Sequence, residues 1–471
     1  MTVKKLVFAA ALAVVCGATA DEAIRKEVPA EIANETRAAK DARMAWWRND
    51  RFGMFIHFGL YSMLGRHEWV RHRERITDAD YRKYFERFDP DLFDAAEWAK
   101  AAKAAGMKYI VLTTKHHEGF CLFDSKFTDY KITKTPFGRD LVREFVDACR
   151  AEGLKVGFYY SLIDWHHPDF TIDYCHPLRA PDGFKGKEEE EFFAKANAGR
   201  DMGRYRKYMK DQIRELLTDY GKIDIVWFDF SYPDGKYAKG WRDWDSPGII
   251  ELTRKLQPGI LIDNRLDLRD CDWGWDFITP EQFKVPEWPT YNGKRVPWET
   301  CQTFSGSWGY HRDEATWKSV PQLLELLTET VSKGGNLILN VGPDARGRFD
   351  RRAKNRLAAI GEWMEVNSRS VYGCTEAPEG FEAPNGTALT YNPARKRLYL
   401  HLYDYPMGYL PLRFWDKVTY AQFLHDGSEV KVVPPAKRHE QDGDASKRGF
   451  GGLVLPVVKP ACEVPVVELW I

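Results

Sequence analysis

Between about residue 50 and residue 345, short apolar segments alternate with amphipathic helical patterns. The clearest strand candidates are RFGMFIHFG, MKYIVLTTK, LKVGFYYS, IDIVWFDF, GILIDNR and GGNLILNVG; WDFITPE and PWETCQT are weaker ones. The intervening segments, such as DLVREFVDACRAEG and VPQLLELLTETVSKGG, repeat apolar residues at helical spacing and end on glycine, as helices commonly do. Such alternation is typical of βα units around a parallel sheet. Eight strands with helices between them predict an α/β fold, a (β/α)8-like barrel.

A doubly wound open sheet is the structural alternative, but no GxGxxG turn follows the first strand, so we favour the barrel. The last barrel helix is predicted within residues 351–373, RRAKNRLAAIGEWMEVNSRSVYG. Beyond it, short segments such as RLYLHLY and VPVVELWI are typical of antiparallel strands. The sequence therefore predicts a catalytic barrel over residues 21–373 and a C-terminal β-sandwich over residues 374–471.

The first twenty residues, MTVKKLVFAAALAVVCGATA, combine a Lys-Lys start, an apolar centre and an A-x-A type ending. This pattern predicts a signal peptide over residues 1–20 and an exported protein, periplasmic or secreted, after cleavage near Ala20. Val15 precedes Cys16 where a lipoprotein signal has a small residue, so lipidation is disfavoured. No later stretch reaches the roughly 20 uninterrupted apolar residues of a membrane-spanning helix.

Charge and cysteine content exclude several classes of partner. The 69 basic and 69 acidic residues give a net charge of +0, so no overall field attracts nucleic acid or an anionic membrane. Of 8 cysteines, 8 − 1 = 7 remain without Cys16, an odd number lacking CxxC spacing, which argues against a zinc site or a dense disulfide framework. We predict neither metal nor cofactor, and the sequence leaves the oligomeric state open.

Polar residues recur at the ends of the predicted strands. In a (β/α)8 barrel the active site lies at the C-terminal ends of the strands. Each such residue alone would be explained as a solvated loop residue, but together they predict a site: His57, Lys115-His116-His117-Glu118, Tyr159-Tyr160-Ser161, Asp229, Asn264-Arg265 and Glu281.

Asp229 ends the apolar segment GKIDIVWFD, directly after Trp227 and Phe228. A partly desolvated carboxylate there suits a nucleophile that neighbouring hydrogen bonds keep ionised. The structural alternative is a helix N-cap. One reaction that uses a carboxylate nucleophile is glycoside hydrolysis, which requires a second carboxyl group nearby. The candidates for that second group are Glu281, Glu299, Glu68 and Glu118.

Six stretches, FGMFIHFGLYS, HEW, YIVLTTKHHEGFCLFDSKFTDY, VGFYYS, IDIVWFDF and SKGGNLILNVGPD, resemble glycoside hydrolase family 29, the retaining α-L-fucosidases. The resemblance covers roughly residues 40–365 and implies a catalytic barrel followed by a β-sandwich. It also implies that Asp229 is the nucleophile and that Glu281, in TPEQF, is the acid/base residue, expected to be buried beside that anion. Glu299, in PWETCQT, is the principal rival for the acid/base role.

The resemblance further implies which residues hold the sugar. His57, Glu68, His116, His117, Tyr159 and Arg265 would bind hydroxyls and the ring oxygen, and Trp69, Trp227 and Trp308 would form apolar walls. A metal-dependent hydrolase using the histidine pairs at 116 and 166 is an alternative. Neighbours on an extended segment point to opposite sides, so His116 and His117 do not favour a shared metal.

The expected activity is exo-acting hydrolysis of terminal α-L-fucose by double displacement, with fucosylated oligosaccharides or glycoconjugates as substrates. Two alternatives stay open: a glycosidase for a related sugar, and a non-catalytic carbohydrate-binding protein on the same scaffold. Phe230 stands where many family members carry Gly. The connection from Asp164 to about Arg204 is long for a βα unit, and we expect it to shape the leaving-group side.

Overall fold

The computed structural model describes residues 27–435 and 451–471, so the predicted signal peptide lies outside the described residues. The strands are β1 Phe52–Ile56, β2 Tyr109–Lys115, β3 Lys155–Ser161, β4 Ile225–Asp229, β5 Leu261–Ile262, β6 Thr290–Tyr291, β7 Lys294–Arg295, β8 Glu299–Thr303, β9 Asn336–Val341, β10 Thr375–Glu376, β11 Thr387–Asn392, β12 Arg397–Leu402, β13 Tyr409–Pro411, β14 Tyr420–Phe423, β15 Lys431–Val433, β16 Gly452–Val454 and β17 Val466–Trp470. The α-helices are α1 Ala30–Ala33, α2 Arg37–Asp50, α3 Tyr61–Leu64, α4 Val70–Arg73, α5 Asp78–Phe85, α6 Ala95–Ala104, α7 Leu141–Ala151, α8 Lys187–Ala196, α9 Met202–Thr218, α10 Trp241–Trp244, α11 Ser246–Leu256, α12 Val320–Ser332 and α13 Arg351–Asn367.

Seven strands form one parallel sheet in the order β5-β4-β3-β2-β1-β9-β8. The segment between β5 and β8 joins its two edges through isolated parallel bridges, Asp263 to Phe277 on one side and Ile278 to Trp298 and Glu281 to Cys301 on the other. Neighbours in space are therefore also neighbours along the chain, as in a (β/α)8 barrel. The predicted fold class is confirmed.

The two weaker strand candidates behave differently. PWETCQT contains β8, whereas WDFITPE takes the eighth position in the barrel through single bridges without becoming a regular strand. Pro280 lies within this segment and has no N–H to donate to a ladder. Its neighbour Thr279 instead donates its backbone N–H to the side chain of Asn264, over 3.1 Å.

The barrel interior is a separate aromatic core. Alternate residues of the strands point inward and pack together, namely Phe55, Tyr109, Val111, Tyr159, Ile225, Trp227, Leu261, Phe277, Cys301 and Ile338. Helix α2 covers the N-terminal mouth of the barrel, where the Trp47 ring lies 4.9 Å from that of Phe277. Gly53 on β1 leaves room for Tyr109, since a Cβ there would lie 2.2 Å from its ring. The lower barrel is thus filled by side chains, and the barrel can take a ligand at its other end.

A second, larger core lies between the outside of the sheet and the surrounding helices. It includes Trp98 of α6, Phe145 of α7, Leu327 of α12 and Trp363 of α13. The helices begin at side chains that cap their free N–H groups: Asp94 accepts from two backbone amides of α6, and Ser319 with Gln322 forms a capping box on α12. These helices hold the strands in place, so the residues at the strand ends have fixed positions.

The C-terminal part is a β-sandwich. A five-stranded antiparallel sheet in the order β10-β11-β12-β17-β14 faces a three-stranded one in the order β13-β16-β15, with Leu400 and Val467 packed in the same core as Leu410 and Leu453. The sandwich contacts the barrel helices, and Trp363 donates its indole N–H to the carbonyl of Val464 over 2.8 Å. Within the described ranges, no helix has both the length and the apolar character that crossing a membrane requires.

Candidate active site

A cavity of about 390 Å³ opens at the C-terminal ends of the barrel strands. It is lined by Phe55, His57, Trp69, His116, His117, Tyr159, Trp227, Asp229, Phe230, Arg265, Glu281, Cys301 and Trp308. The structure therefore brings together both predicted catalytic carboxylates and every predicted sugar-binding residue except Glu68. These side chains come from seven of the eight barrel positions and the loops that follow them.

Asp229 is the last residue of β4 and is 8% exposed. Tyr159 donates its hydroxyl to Oδ2 over 2.8 Å, and Arg265 donates Nη1 to Oδ1 over 2.9 Å. Burial raises the pKa of Asp229 above its usual range, while the Arg265 charge and the hydrogen bonds from Tyr159 and Arg265 act in the opposite direction. Both carboxylate oxygens are thus held in fixed directions by donors that favour the anion.

Arg265 links the two carboxylates. Its Nη2 donates to Glu281 Oε2 over 2.7 Å, its Nε donates to Thr279 Oγ1 over 2.9 Å, and its guanidinium lies over the Trp227 ring at 4.6 Å. The expectation that Glu281 is buried is wrong, because its side chain is 39% exposed. The closing segment of the barrel ends at Glu281, where the chain leaves the sheet at the rim. Glu281 therefore lies at the mouth of the pocket and Asp229 inside it.

Glu299 does not line the pocket. It is fully buried at the start of β8 and accepts hydrogen bonds from Trp47 Nε1 at 3.1 Å, Trp227 Nε1 at 3.2 Å and the hydroxyl of Tyr109. Burial raises its pKa to about 7. Cys301, two residues further along the same face of β8, does line the pocket. Glu299 thus points into the barrel interior below the cavity. Trp227 lies between the two, because it lines the cavity and donates its indole N–H to Glu299.

The hydrogen-bonding role of His57 follows from its neighbours. Asn340 donates Nδ2 to the carbonyl of Trp308 over 2.6 Å, which turns its Oδ1 toward His57 Nδ1, 2.6 Å away. His57 Nδ1 must then carry the proton, because an amide oxygen only accepts. Burial lowers the pKa of His57 to about 3, so the ring is neutral and its Nε2 is an acceptor.

His117 has the same arrangement. Ser161 donates its hydroxyl to the carbonyl of Ile163 over 2.7 Å, so its oxygen accepts from His117 Nδ1 at 2.7 Å and leaves Nε2 as an acceptor. Burial lowers the pKa of His117 well below its usual value. Two neutral imidazoles therefore present acceptor nitrogens, which suits the binding of hydroxyl groups.

The prediction that His116 and His117 point to opposite sides is wrong. Both line the pocket, with ring centroids 4.0 Å apart. Strand β2 ends at Lys115, and a turn in which Gly119 donates to the carbonyl of His116 follows, so strand alternation no longer applies. His166 lies outside the pocket, stacked on Tyr130 at 3.7 Å. Within residues 27–435 and 451–471, no group of three or more His, Cys, Asp or Glu side chains has an arrangement that could hold a metal.

Glu68 lies behind the pocket wall. Its Oε2 accepts from the backbone N–H groups of Trp308 at 3.1 Å and Gly309 at 2.8 Å, and burial raises its pKa to about 7. Its Oε1 is buried and forms no hydrogen bond with the described residues. Glu118, the remaining carboxylate candidate, is buried and accepts from the backbone of Leu60 at 2.8 Å and from the Tyr81 hydroxyl. Glu118 thus supports the loop at Leu60, whereas Glu68 holds the backbone at Trp308 and Gly309 with one oxygen and keeps the other without a partner among the described residues.

Sequence reasoning missed several residues. Phe55, Phe230 and Cys301 line the cavity, and Asn340 sets the tautomer of His57; Ser161, which was among the predicted strand-end residues, sets the tautomer of His117. Strand alternation was the available signal for two of them, since Phe55 lies two residues before His57 and Cys301 two after Glu299. Phe230 has a φ of 83°, a left-handed conformation that disfavours side chains other than glycine.

The long connection from Asp164 to about Arg204 does not line this cavity or the groove next to it, so the expectation that it shapes the leaving-group side is wrong. Its residue Trp165 packs behind the pocket instead, with its ring 5.3 Å from that of Trp69 and 5.5 Å from that of His117. The connection therefore supports the pocket wall from outside.

A family profile described as Alpha-L-fucosidase matches residues 20–369. An α-L-fucosidase of Dictyostelium discoideum is 30% identical over 353 residues, covering 70% of this chain and 71% of its own length. The solved structure of α-L-fucosidase isoenzyme 1 from Paenibacillus thiaminolyticus is 43% identical, covers 92% of this chain and 99% of its own, and has a TM-score of 0.81.

A third similar protein has been solved with a reaction intermediate bound. A GH29 α-L-fucosidase from Bacteroides thetaiotaomicron is 29% identical, covers 91% of this chain and 96% of its own, and has a TM-score of 0.73. Its structure contains a covalent intermediate trapped with 2-fluoro-fucosyl fluoride in a variant in which glutamine replaces a glutamate. That enzyme thus forms a bond to the sugar during the reaction.

Proposed function

Because the chain belongs to glycoside hydrolase family 29, the α-L-fucosidases, we propose that it releases terminal α-L-fucose from fucosylated oligosaccharides or glycoconjugates and retains the anomeric configuration. The observation that carries the proposal is the position of Arg265, whose guanidinium binds Asp229 and Glu281 at the entrance of one pocket. A retaining glycosidase requires two such carboxyl groups, one as nucleophile and one as acid/base.

The size and walls of the pocket support an exo-acting enzyme. The pocket is small, with about 390 Å³ even when its open side is included, and the barrel core below it is filled. Trp227, Phe55 and Trp308 supply apolar walls that suit a methyl group, and the Nε2 atoms of His57 and His117 suit hydroxyls. A terminal deoxysugar matches this combination of surfaces.

In the first step, Asp229 attacks the anomeric carbon while Glu281 protonates the departing glycosidic oxygen. Tyr159 and Arg265 fix the two oxygens of Asp229, which orients its lone pairs toward the sugar. Glu281 must carry a proton to act as an acid, and protonation weakens its ion pair with Arg265 so that it can turn toward the leaving oxygen.

In the second step, Glu281 takes a proton from a water molecule that displaces Asp229 from the sugar. Its exposed position at the mouth gives water access to it, whereas Asp229 is buried. Two inversions at one carbon give overall retention. The covalent intermediate seen in the Bacteroides relative supports this route.

The test is hydrolysis of 4-nitrophenyl α-L-fucoside by wild type, Asp229→Gly and Glu281→Ala, with and without azide. We expect loss of turnover in both variants, rescue of Asp229→Gly with formation of the β-fucosyl azide, and rescue of Glu281→Ala with formation of the α-fucosyl azide. Aryl α-L-galactoside serves as the matched substrate, in which a hydroxymethyl group replaces the methyl group. Preference for the galactoside, or binding without turnover in wild type, would refute the proposal.

We also propose that the protein is exported after cleavage near Ala20. The proposal rests on the Lys-Lys start, apolar centre and A-x-A type ending of the first twenty residues. N-terminal sequencing of the protein from its native host should begin close to Asp21. A mature chain that retains Met1 or Thr2 would contradict export by this route.

A further inference from the structure

A groove adjoins the catalytic pocket at its mouth. Together with its open side it encloses about 1470 Å³, and it shares Asp229, Phe230 and Arg265 with the pocket. The loop after the closing segment of the barrel forms one wall, and the residues after β5 form the other. The groove therefore begins at the carboxylate that reacts, on the side where Glu281 lies.

The first wall presents an aromatic ring to solvent. Phe283 is 55% exposed, and Pro280, Val285, Pro286 and Pro289 accompany it along the groove. A large apolar side chain that is exposed on a loop with a fixed backbone indicates a binding surface more strongly than one on a flexible segment does.

The backbone on both sides of Phe283 is fixed by hydrogen bonds. Gln282 donates its N–H to the carbonyl of Cys301 over 3.1 Å and its Nε2 to Thr303 Oγ1 over 2.9 Å. Gln302 donates to the carbonyl of Phe283 itself over 3.2 Å, and Lys333 donates to that of Val285 over 2.8 Å. The exposure of the Phe283 ring is thus imposed by the anchored loop.

The opposite wall carries a cation. Arg269 is exposed and lines the groove, and it forms neither a hydrogen bond nor an ion pair with any residue that the structure describes. Its guanidinium has five N–H donors available for a ligand. A pyranose offers both an apolar face for a ring and hydroxyl groups for such donors.

We propose that this groove is the subsite for the leaving-group sugar, with Phe283 stacked on its apolar face and Arg269 donating to its hydroxyls. The inference rests on the proposed fucosidase function and adds where the rest of the glycan lies. A sugar attached to fucose emerges from the pocket between Asp229 and Glu281, and the groove starts there. Selectivity among fucosylated glycans then depends on the loop of residues 280–290.

The test compares two fucosyl donors in the full-length mature protein. α-L-Fucosyl fluoride places only a fluoride in the groove, whereas a fucosylated disaccharide places a sugar there. The α-1,2-, α-1,3-, α-1,4- and α-1,6-linked disaccharides are assayed first, and the one that wild type cleaves fastest is used. The readout is the ratio of kcat/KM for the disaccharide to kcat/KM for the fluoride.

We expect this ratio to fall about fivefold in Phe283→Ala and by a similar factor in Arg269→Ala, and to stay near wild type in Phe283→Tyr, which keeps the ring. Phe127→Ala, at an exposed phenylalanine outside the groove, is the matched control and should leave the ratio unchanged.

An unchanged ratio in both groove variants would overturn the subsite. Cleavage of the fluoride with none of the disaccharides would also overturn it, while leaving the fucosidase assignment intact. A wild type that cleaves neither donor would instead reject the proposed function itself.

Discussion

Tyr159 donates its phenolic hydrogen to Oδ2 of Asp229 over 2.8 Å, from a ring buried inside the barrel. The two residues come from adjacent strands, where Ser161 of β3 is paired with Asp229 of β4. Burial raises the pKa of Tyr159 well above its usual value, so the hydroxyl stays protonated and can only donate to this carboxylate. The contact therefore both orients Asp229 and favours its ionised form.

Replacing Tyr159 with phenylalanine should lower kcat/KM for 4-nitrophenyl α-L-fucoside by about 10- to 100-fold, the range expected for losing a hydrogen bond to a charged group. In wild type the hydrogen bond from Tyr159 lowers the pKa of Asp229. Removing this hydrogen bond therefore raises the pKa of Asp229. The acidic limb of the pH profile should then move to higher pH, because Asp229 must be ionised to attack.

Tyr160→Phe is the matched control for this variant. Tyr160 is the next residue of β3, is equally buried and donates to Gln212 over 2.7 Å, outside the pocket. Its loss should leave the pH profile in place. A Tyr159→Phe enzyme whose acidic limb does not shift would show that the contact only packs the strand.

Glu299→Gln separates the two candidates for the acid/base role. The amide nitrogen of glutamine would face one of the donors that now point at the carboxylate, from Trp47, Tyr109 and Trp227. We expect the free energy of unfolding to fall by about 1–3 kcal/mol, as for an unsatisfied buried donor. The kcat/KM of the folded variant should stay within a few-fold of wild type.

Chemical denaturation and an aryl-fucoside assay measure these two quantities. Glu281→Gln should give the opposite pattern, with near-normal stability and strongly reduced turnover. If Glu299→Gln folds stably, loses activity and regains it with azide, the acid/base role belongs to Glu299.

The left-handed backbone at Phe230 predicts an unusual order of stability. Phe230→Ala and Phe230→Gly both remove the ring that contacts Trp69 and His117, and they differ mainly in the strain at a φ of 83°. The glycine variant should be the more stable of the two by about 1 kcal/mol, because a Cβ is disfavoured at positive φ.

Thermal unfolding of both variants measures the difference. The same pair of substitutions at Phe228, inside β4, should give the usual order with alanine more stable. An alanine variant at position 230 that equals or exceeds the glycine variant would mean that the backbone relaxes out of the left-handed region.

A buried histidine in the sandwich predicts a pH dependence of stability. Burial lowers the pKa of His401 to about 3, below its usual 6.5, and its Nδ1 forms no hydrogen bond with the described residues. The unfolded chain takes up the proton as pH falls below 6.5, but the folded protein does not. Stability is therefore fully present above pH 6.5 and declines toward pH 3, by roughly 2 kcal/mol for this group between pH 8 and pH 5.

His401→Gln should flatten the loss of stability on acidification, measured as the free energy of unfolding at pH 8 and pH 5. Wild type measured at the same two pH values is the reference. Other buried histidines contribute slopes of the same sign, whereas buried glutamates with a raised pKa, such as Glu68 and Glu299, contribute the opposite sign, so the test is the difference in slope between His401→Gln and wild type. An identical slope in His401→Gln would contradict a neutral buried imidazole.

Much of the fold was predictable because apolar periodicity and helix boundaries are local. The alternation over residues 50–345 predicted eight barrel positions, including the irregular one around Pro280, where ladder pairing reduces to single bridges. The same periodicity could not show that this segment closes the sheet, because closure depends on pairing with β8 some twenty residues further along the chain.

Site residues were predictable where they end a strand. Their position along the barrel axis, at the rim or below the cavity, was harder to predict. Asp229, Tyr159 and Arg265 follow from their strand ends, whereas Glu281 and Glu299 look alike in sequence although one lies at the rim and the other below the cavity. Turns also limit prediction: His116 and His117 share a pocket because the strand stops at Lys115. Tautomer-setting contacts such as that of Asn340 depend on residues far apart in sequence.

The most direct test of the account is to trap the glycosyl-enzyme and locate its bond. The mature protein is incubated with 2-deoxy-2-fluoro-fucosyl fluoride, digested and mapped by mass spectrometry, with Asp229→Asn as the control. We predict one 2-deoxy-2-fluorofucosyl group on the peptide containing Asp229, attached to that carboxylate, and none in the control. Attachment at Glu281 or Glu299, or turnover of the substrate with inversion and no labelled peptide, would contradict Asp229 as the nucleophile.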